Sequence, residues 1–170
     1  MKKIPIIILI ILFFVLFLLL STFSGPKNKI NFVENETVEK TEDPFFIYET
    51  IMYPTNVSII KLENKTNITL GITGDPWNLN FGVVPIGVDS RRFINLANYK
   101  EENYKVEILV YGNISPMVSF DKNNIILHKG DELKVTALLN STIATKKGSF
   151  TGEIDVISKG ARYSFLEGLL

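Results

Sequence analysis

After Lys2 and Lys3, residues 4–20 form seventeen consecutive positions that are all apolar apart from Pro5. At ~1.5 Å of rise per helical residue this run covers about 26 Å, and Ser21, Thr22 and Phe23 extend it to ~30 Å, the thickness of bilayer hydrocarbon. A helix that is apolar all round in a small protein has lipid as its adequate solvent. Residues 4–23 are therefore expected to cross a lipid bilayer as one N-terminal transmembrane α-helix, within a first unit of residues 1–24. A cleaved secretion signal is the alternative, because the basic start and the small residues Ser21, Thr22, Ser24 and Gly25 fit that too. Signal cores run ~7 to 15 residues, so length favours an anchor that stays. Either way the basic pair remains cytoplasmic and the remainder is exported, although Lys27 and Lys29 on the far side count against that orientation.

The pattern changes at residues 25–43, where Lys, Asn, Glu and Thr dominate and Glu34, Glu36, Glu39, Glu42 and Asp43 make the segment acidic. So few apolar groups do not offset the entropy of ordering, and a solvated stalk is expected. Residues 44–54 are aromatic-rich and framed by Pro44 and Pro54. They read as a short helix or strand packed on the following domain, or as an interfacial belt at the headgroups, and packing is preferred.

From Asn56 onward the hydrophobic period is two, the mark of strands with one buried face. Ile68, Leu70 and Ile72 alternate with polar or small residues, as do Val106, Ile108 and Val110. Leu133, Val135, Ala137 and Leu139 repeat the pattern, followed by Phe150, Ile154 and Val156. Turn chemistry separates these runs at Gly74-Asp75-Pro76, Gly87 to Ser90, Asp121 to Asn124, Lys129-Gly130-Asp131 and Lys147-Gly148. Six to eight short strands without amphipathic helices between them predict an all-β, antiparallel β-sandwich over residues 44–170. Phe81, Leu96, Ile108, Val135 and Ile154 should point between the sheets, with Lys105, Glu107, Lys134 and Glu153 facing water.

Composition narrows the function classes. In 170 residues, 18 basic and 18 acidic side chains cancel, and the basic ones are scattered, unlike a nucleic-acid binder. The chain has no cysteine, which excludes disulfides, thiolate metal sites and thiol catalysis. Its single histidine, His128, precedes the Lys129-Gly130-Asp131 turn and reads as an exposed turn residue rather than a zinc ligand. No Gly-x-Ser-x-Gly elbow, calcium loop or phosphate-binding glycine loop occurs. The pairs Glu101-Glu102 and Asp131-Glu132 lie beside turns, where solvated charge explains them. The expectation is a protein with no catalytic residue, cofactor or metal.

The phrase Leu79-Asn80-Phe81-Gly82-Val83-Val84-Pro85-Ile86-Gly87, followed by Phe93 to Asn98, resembles the opening of abnormal-spindle and hydin-type immunoglobulin-like domains, relatives of major sperm protein and the PapD-like fold. Ile125-Ile126-Leu127 with Gly130, and Gly148 to Ile154 as a final hairpin, are similar to later features of that family. The likeness rests on Leu79, Phe81, Gly82, Pro85, Gly87, Leu96, Asn98, Gly148 and Gly152, within a core of residues 77–158. It implies an immunoglobulin-like, PapD-like sandwich and a non-catalytic scaffold or adhesion module, and it carries no catalytic residues.

Six Asn-x-Ser/Thr triplets begin at Asn35, Asn56, Asn64, Asn67, Asn113 and Asn140. With Ser and Thr at roughly one residue in eight, fifteen asparagines should give about two by chance, and such acceptors have meaning only on an exported surface. Asn and Thr are also common in turns and on wet strand faces, and Pro116 makes the Asn113 site a poor acceptor. Asn35, Asn56, Asn64, Asn67 and Asn140 stay as candidate glycosylation sites. Abundant Ile, Lys and Asn with no Gln resembles archaeal cell-surface proteins. Two functions follow as expectations: a single-pass envelope or adhesion module that contacts another cell-surface protein or polymer, or a component of an archaeal surface appendage, either a pilus-like subunit or an archaellum stator. Ile4 directly after Lys3 disfavours pilin-type processing, which wants a small residue there.

Overall fold

Strands that bury one face each must meet in layers, and the chain does this with two β-sheets. The structure is a computed structural model and describes residues 8–15, 29–61, 79–144 and 146–170. The strands are β1 (Thr37–Glu42), β2 (Phe46–Ile60), β3 (Gly82–Pro85), β4 (Asp89–Ala97), β5 (Tyr104–Gly112), β6 (Val118–Phe120), β7 (Ile125–Leu127), β8 (Glu132–Asn140) and β9 (Gly148–Ala161), with short 3-10 helices at Ser115–Met117, Ser141–Ile143 and Ser164–Leu169. The larger sheet has the order β1-β2-β9-β5-β7, with β3 joining β2 as its parallel neighbour. The smaller sheet is β4-β8-β6, and every pairing except β2 with β3 is antiparallel.

The core lies between the sheets. Val57 and Ile59 of β2 and Val84 of β3 meet Ala137 and Leu139 of β8. Beside them, Val106 and Ile108 of β5 and Ile154 and Val156 of β9 meet Ile94, Leu96 and Val135 of the smaller sheet. Phe81, Leu96, Ile108, Val135 and Ile154 are all buried, as the alternation requires.

The spine is the pairing of β2 with β9, fourteen positions from Phe46 opposite Ala161 to Ile59 opposite Gly148. Pro54 interrupts β2 without breaking it, because it falls between the stretch paired with β1 and the stretch paired with β3, where no ladder bond is required on that edge. On the other side of β9, Gly112 of β5 faces Gly152. A Cβ on Gly152 would collide with the Tyr111 carbonyl and the Ile114 side chain, so only glycine permits this approach.

Several expectations change. The solvated stalk at 25–43 contains β1, six residues that are all exposed and held by edge pairing to β2 rather than by burial. The final hairpin expected over Gly148 to Ile154 is part of one 14-residue strand, β9, which runs to Ala161 because it has β2 on one side and β5 on the other. Of the aromatic segment 44–54, residues 46–54 form the first half of β2. The strand expected around Ile68, Leu70 and Ile72 and the turn at Gly74-Asp75-Pro76 lie outside the described residues. Most of the segment 4–23 does as well. Its described portion, residues 8–15, is helical with every side chain exposed, and among the described residues no helix is long and apolar enough to cross a membrane.

Candidate functional site

Because β9 alternates, Ile154 and Val156 face the core while Glu153 and Asp155 face the opposite side of the larger sheet. That outer face is not wet. Glu153 is fully buried and Asp155 nearly so, which corrects the expectation that Glu153 faces water. The cover comes from the chain itself, as residues 29–36 form a strap over β9 and its neighbours. Val33 donates its backbone N–H to Glu153 Oε2 at 2.6 Å. The Lys29 ammonium donates to Glu153 Oε1 and reaches Asp155 Oδ2 at 3.3 Å. It also lies 3.1 Å from Met52 Sδ and 5.9 Å from the centroid of the Tyr111 ring. Register explains the convergence, since Met52 is opposite Asp155 across β2 and Tyr111 is opposite Glu153 across β5.

The triad carries unequal charge. Burial pushes Asp155 up to about 7, and its hydrogen bond with Glu153 adds to this, while the Lys29 charge opposes it. Burial also works against the Glu153 carboxylate, yet hydrogen bonds with Asp155, Lys29 and the Val33 N–H hold it below the ordinary carboxylate range. Desolvation of Lys29 is likewise outweighed by its two acidic partners, so its ammonium is held above its ordinary value. Near neutral pH one amine therefore faces one firmly ionised carboxylate and one that shares a proton with it. Asp155 Oδ1 is buried with no hydrogen-bond partner among the described residues. Such a closed arrangement fixes how the strap sits, because a buried charge tolerates few positions for its partner. Its carboxylates are occupied by the chain's own ammonium, and among the described residues no group of three or more His, Cys, Asp or Glu is placed to hold a metal.

A second feature is an open cleft of about 360 Å3 between the sheets, with Ile51, Leu96, Val106 and Val156 in its lining. Glu49 and Lys100, 3.2 Å apart, also line it. His128 is exposed at its turn, with Nδ1 3.0 Å from Asn103 Oδ1.

The residues singled out by family likeness are structural in their contacts. Leu79, Phe81 and Leu96 are buried, and Gly87 supplies the positive φ of +88 in the turn closed by Val88 N–H to Pro85 O. Asn98 is buried and saturated, donating to Glu102 O at 2.8 Å and Leu127 O at 3.1 Å while accepting from Lys100 N at 3.0 Å. Gly82 opens β3, Gly148 opens β9 and Gly152 makes the close approach to β5. Of the glycosylation candidates, Asn35 and Asn56 are exposed. Asn140 is half-buried and accepts from Thr142 N at 2.9 Å, while the Ser141 of its triplet is fully buried. Asn64 and Asn67 lie outside the described residues.

The strap was missed because its residues are polar and aperiodic, and the one signal for it was Phe32-Val33, an apolar pair inside the acidic stretch. No protein-family model matches the chain, and no curated protein or solved structure does either.

Proposed function

We propose that the chain is a non-catalytic, single-pass membrane protein whose immunoglobulin-like, PapD-like sandwich stands outside the cell and serves envelope structure or adhesion through contact with another surface protein or polymer. The observation that carries this reading is the strap. Lys29, six residues beyond Phe23 where the apolar segment ends, is tied into the buried acids of β9. An apolar run over residues 4–20 with a sandwich tethered from Lys29 onward suits a protein held near a bilayer. The exposed acceptors Asn35 and Asn56 agree with an outside location. A component of a surface appendage, such as an archaellum stator, is the second reading, favoured by the same triad because it ties residues 29–33 firmly to the sheet. Protease added to intact cells should remove the sandwich while the Lys2 end stays protected. Full-length protein recovered in the medium would overturn the anchored reading.

A further inference from the structure

Polar contacts, more than apolar ones, hold the strap to the sheet. Ile30 is 88% exposed, and Asn31, Glu34 and Asn35 are exposed as well. Phe32 and Val33 are half-buried, with the Phe32 ring lying against Gly112. A segment that buries so little apolar surface gains its hold chiefly from charged contacts. Here these are the Lys29 ammonium on Glu153 and Asp155 and the Val33 N–H on Glu153. Apolar burial does not titrate, whereas each of these contacts depends on the protonation of an acid.

The charges beneath the strap do not balance. Two carboxylates share one ammonium, both acids are buried, and Asp155 Oδ1 has no hydrogen-bond partner among the described residues. Like charges this close in a dry site do not both ionise without a large cost, so the closed strap keeps one proton on the pair. The other groups on this face do not supply a second cation at Asp155. From β2 it meets Met52, and from β5 the Tyr111 phenol, which burial holds above its ordinary value and so neutral. Glu107, on the same side of β5, adds negative charge. Lys159 and, opposite it, Lys105 lie further along the face, and Lys159 is turned to the Phe46 ring at 3.6 Å from its centroid. Lifting the strap admits water to both carboxylates, and the second is then free to ionise.

We infer that the strap is a proton-operated latch, closed over Glu153 and Asp155 while the pair holds one proton and released as that proton leaves, with both sheets still folded. Burial under the strap pushes Asp155 up to about 7, against ~4 for a hydrated aspartate, so its contribution to closure is present in acid and lost as pH rises through about 7. Glu153, held below the ordinary carboxylate range, acts oppositely and loses its grip as pH falls through that range. Closure is therefore strongest in weakly acidic to neutral solution. Above about pH 7 each closing event takes up one proton, so the open fraction should grow by up to about tenfold per pH unit. The latch stands apart from the membrane reading, since every group in it belongs to the strap or to the larger sheet.

The test follows the full-length protein in detergent micelles from about pH 5.5 to about pH 9.5, reading amide exchange relative to an unstructured chain together with the carboxyl carbon signals of Glu153 and Asp155. The Val33 amide should be protected up to about pH 7 and then lose protection by up to about tenfold per pH unit, while amides of β5 and β8 stay protected. The Asp155 carbon should titrate where that loss begins. Asp155→Asn keeps the neutral form, and its Val33 protection should no longer fall with pH. Val33 protection that is the same at every pH in the parent, whether high or absent, would overturn the latch. So would a fall that persists in Asp155→Asn, because the proton would then belong to another group. A fall shared equally by β5 and β8 would overturn it as well, since strap and sheets would be opening together. If Asp155→Asn does not fold, the parent alone decides: the carboxyl titration and the onset of Val33 exchange must coincide, and an Asp155 carbon titrating in the ordinary carboxylate range would remove the proton on which the latch depends.

Discussion

Glu107 and Glu153 sit on neighbouring strands and point to the same side of the larger sheet, yet their surroundings differ because the strap covers only one of them. Glu153→Ala leaves Lys29 and Asp155 without their shared partner, and breaking a buried pair in this way should cost about 3 to 5 kcal/mol. Glu107→Ala should cost under about 1 kcal/mol, and Ile108→Ala or Ile154→Ala about 2 to 5 kcal/mol, the range for a large aliphatic lost from a core. Chemical denaturation of the four variants checks the order, and equal losses from both glutamates would contradict it. Asp155 adds a pH dependence of known sign. Its proton is held up to about 7 when folded and lost near ~4 when unfolded, so its contribution is complete in acid and disappears as pH rises through about 7. Glu153 works oppositely, and its contribution is lost on acidification through the carboxylate range. Asp155→Asn keeps the neutral form and should flatten the fall in Tm between about pH 5 and about pH 8, whereas an unchanged slope would count against the buried site. At this scale the sequence was readable where alternation places an apolar residue, as at Val135 or Ile154. It was silent about Glu153, because a period of two says which side a residue takes but not whether the chain later returns to cover that side.

At the level of elements, β5 and β8 were legible because their core residues alternate with neighbours that are half-buried or exposed, whereas Asp89 and Ser90, read as part of a turn, already belong to β4. Phe46 to Pro54 was obscure because that half of β2 is covered on both sides, by the core and by the chain ends, which erases the period. The strand β1 carried no hydrophobic signal at all. Its charges, Glu39, Lys40 and Glu42, suit an exposed edge that must not recruit further strands. The turn residues around Gly87 and Gly130 were legible as chemistry, and they place the ends of β3 and β7. Gly152 belongs to this scale too, since its role is the distance between two strands. Gly152→Ala should destabilise the sandwich by about 1 to 3 kcal/mol through overpacking against β5, visible as a lower Tm. A variant as stable as the parent would mean that β5 and β9 are further apart than described.

For the whole molecule, the outer face of the larger sheet is closed twice by the chain itself. Residues 29–36 cover Glu153 and Asp155, and the last 3-10 helix covers Phe46 and Ala161. The two-sheet architecture could be anticipated from strand spacing and turns, but this wrapping could not, because it depends on a single lysine meeting two acids more than 120 residues away. The strap is part of the sandwich rather than a loose spacer. Hydrogen exchange on the full chain in detergent micelles measures it directly at residues 30–36, where the Val33 N–H is bonded to Glu153. The strap amide should be protected in the parent protein, and its protection should collapse in Glu153→Ala while β5 and β8 remain protected. Exchange at the rate of an unstructured chain in the parent protein would contradict the account.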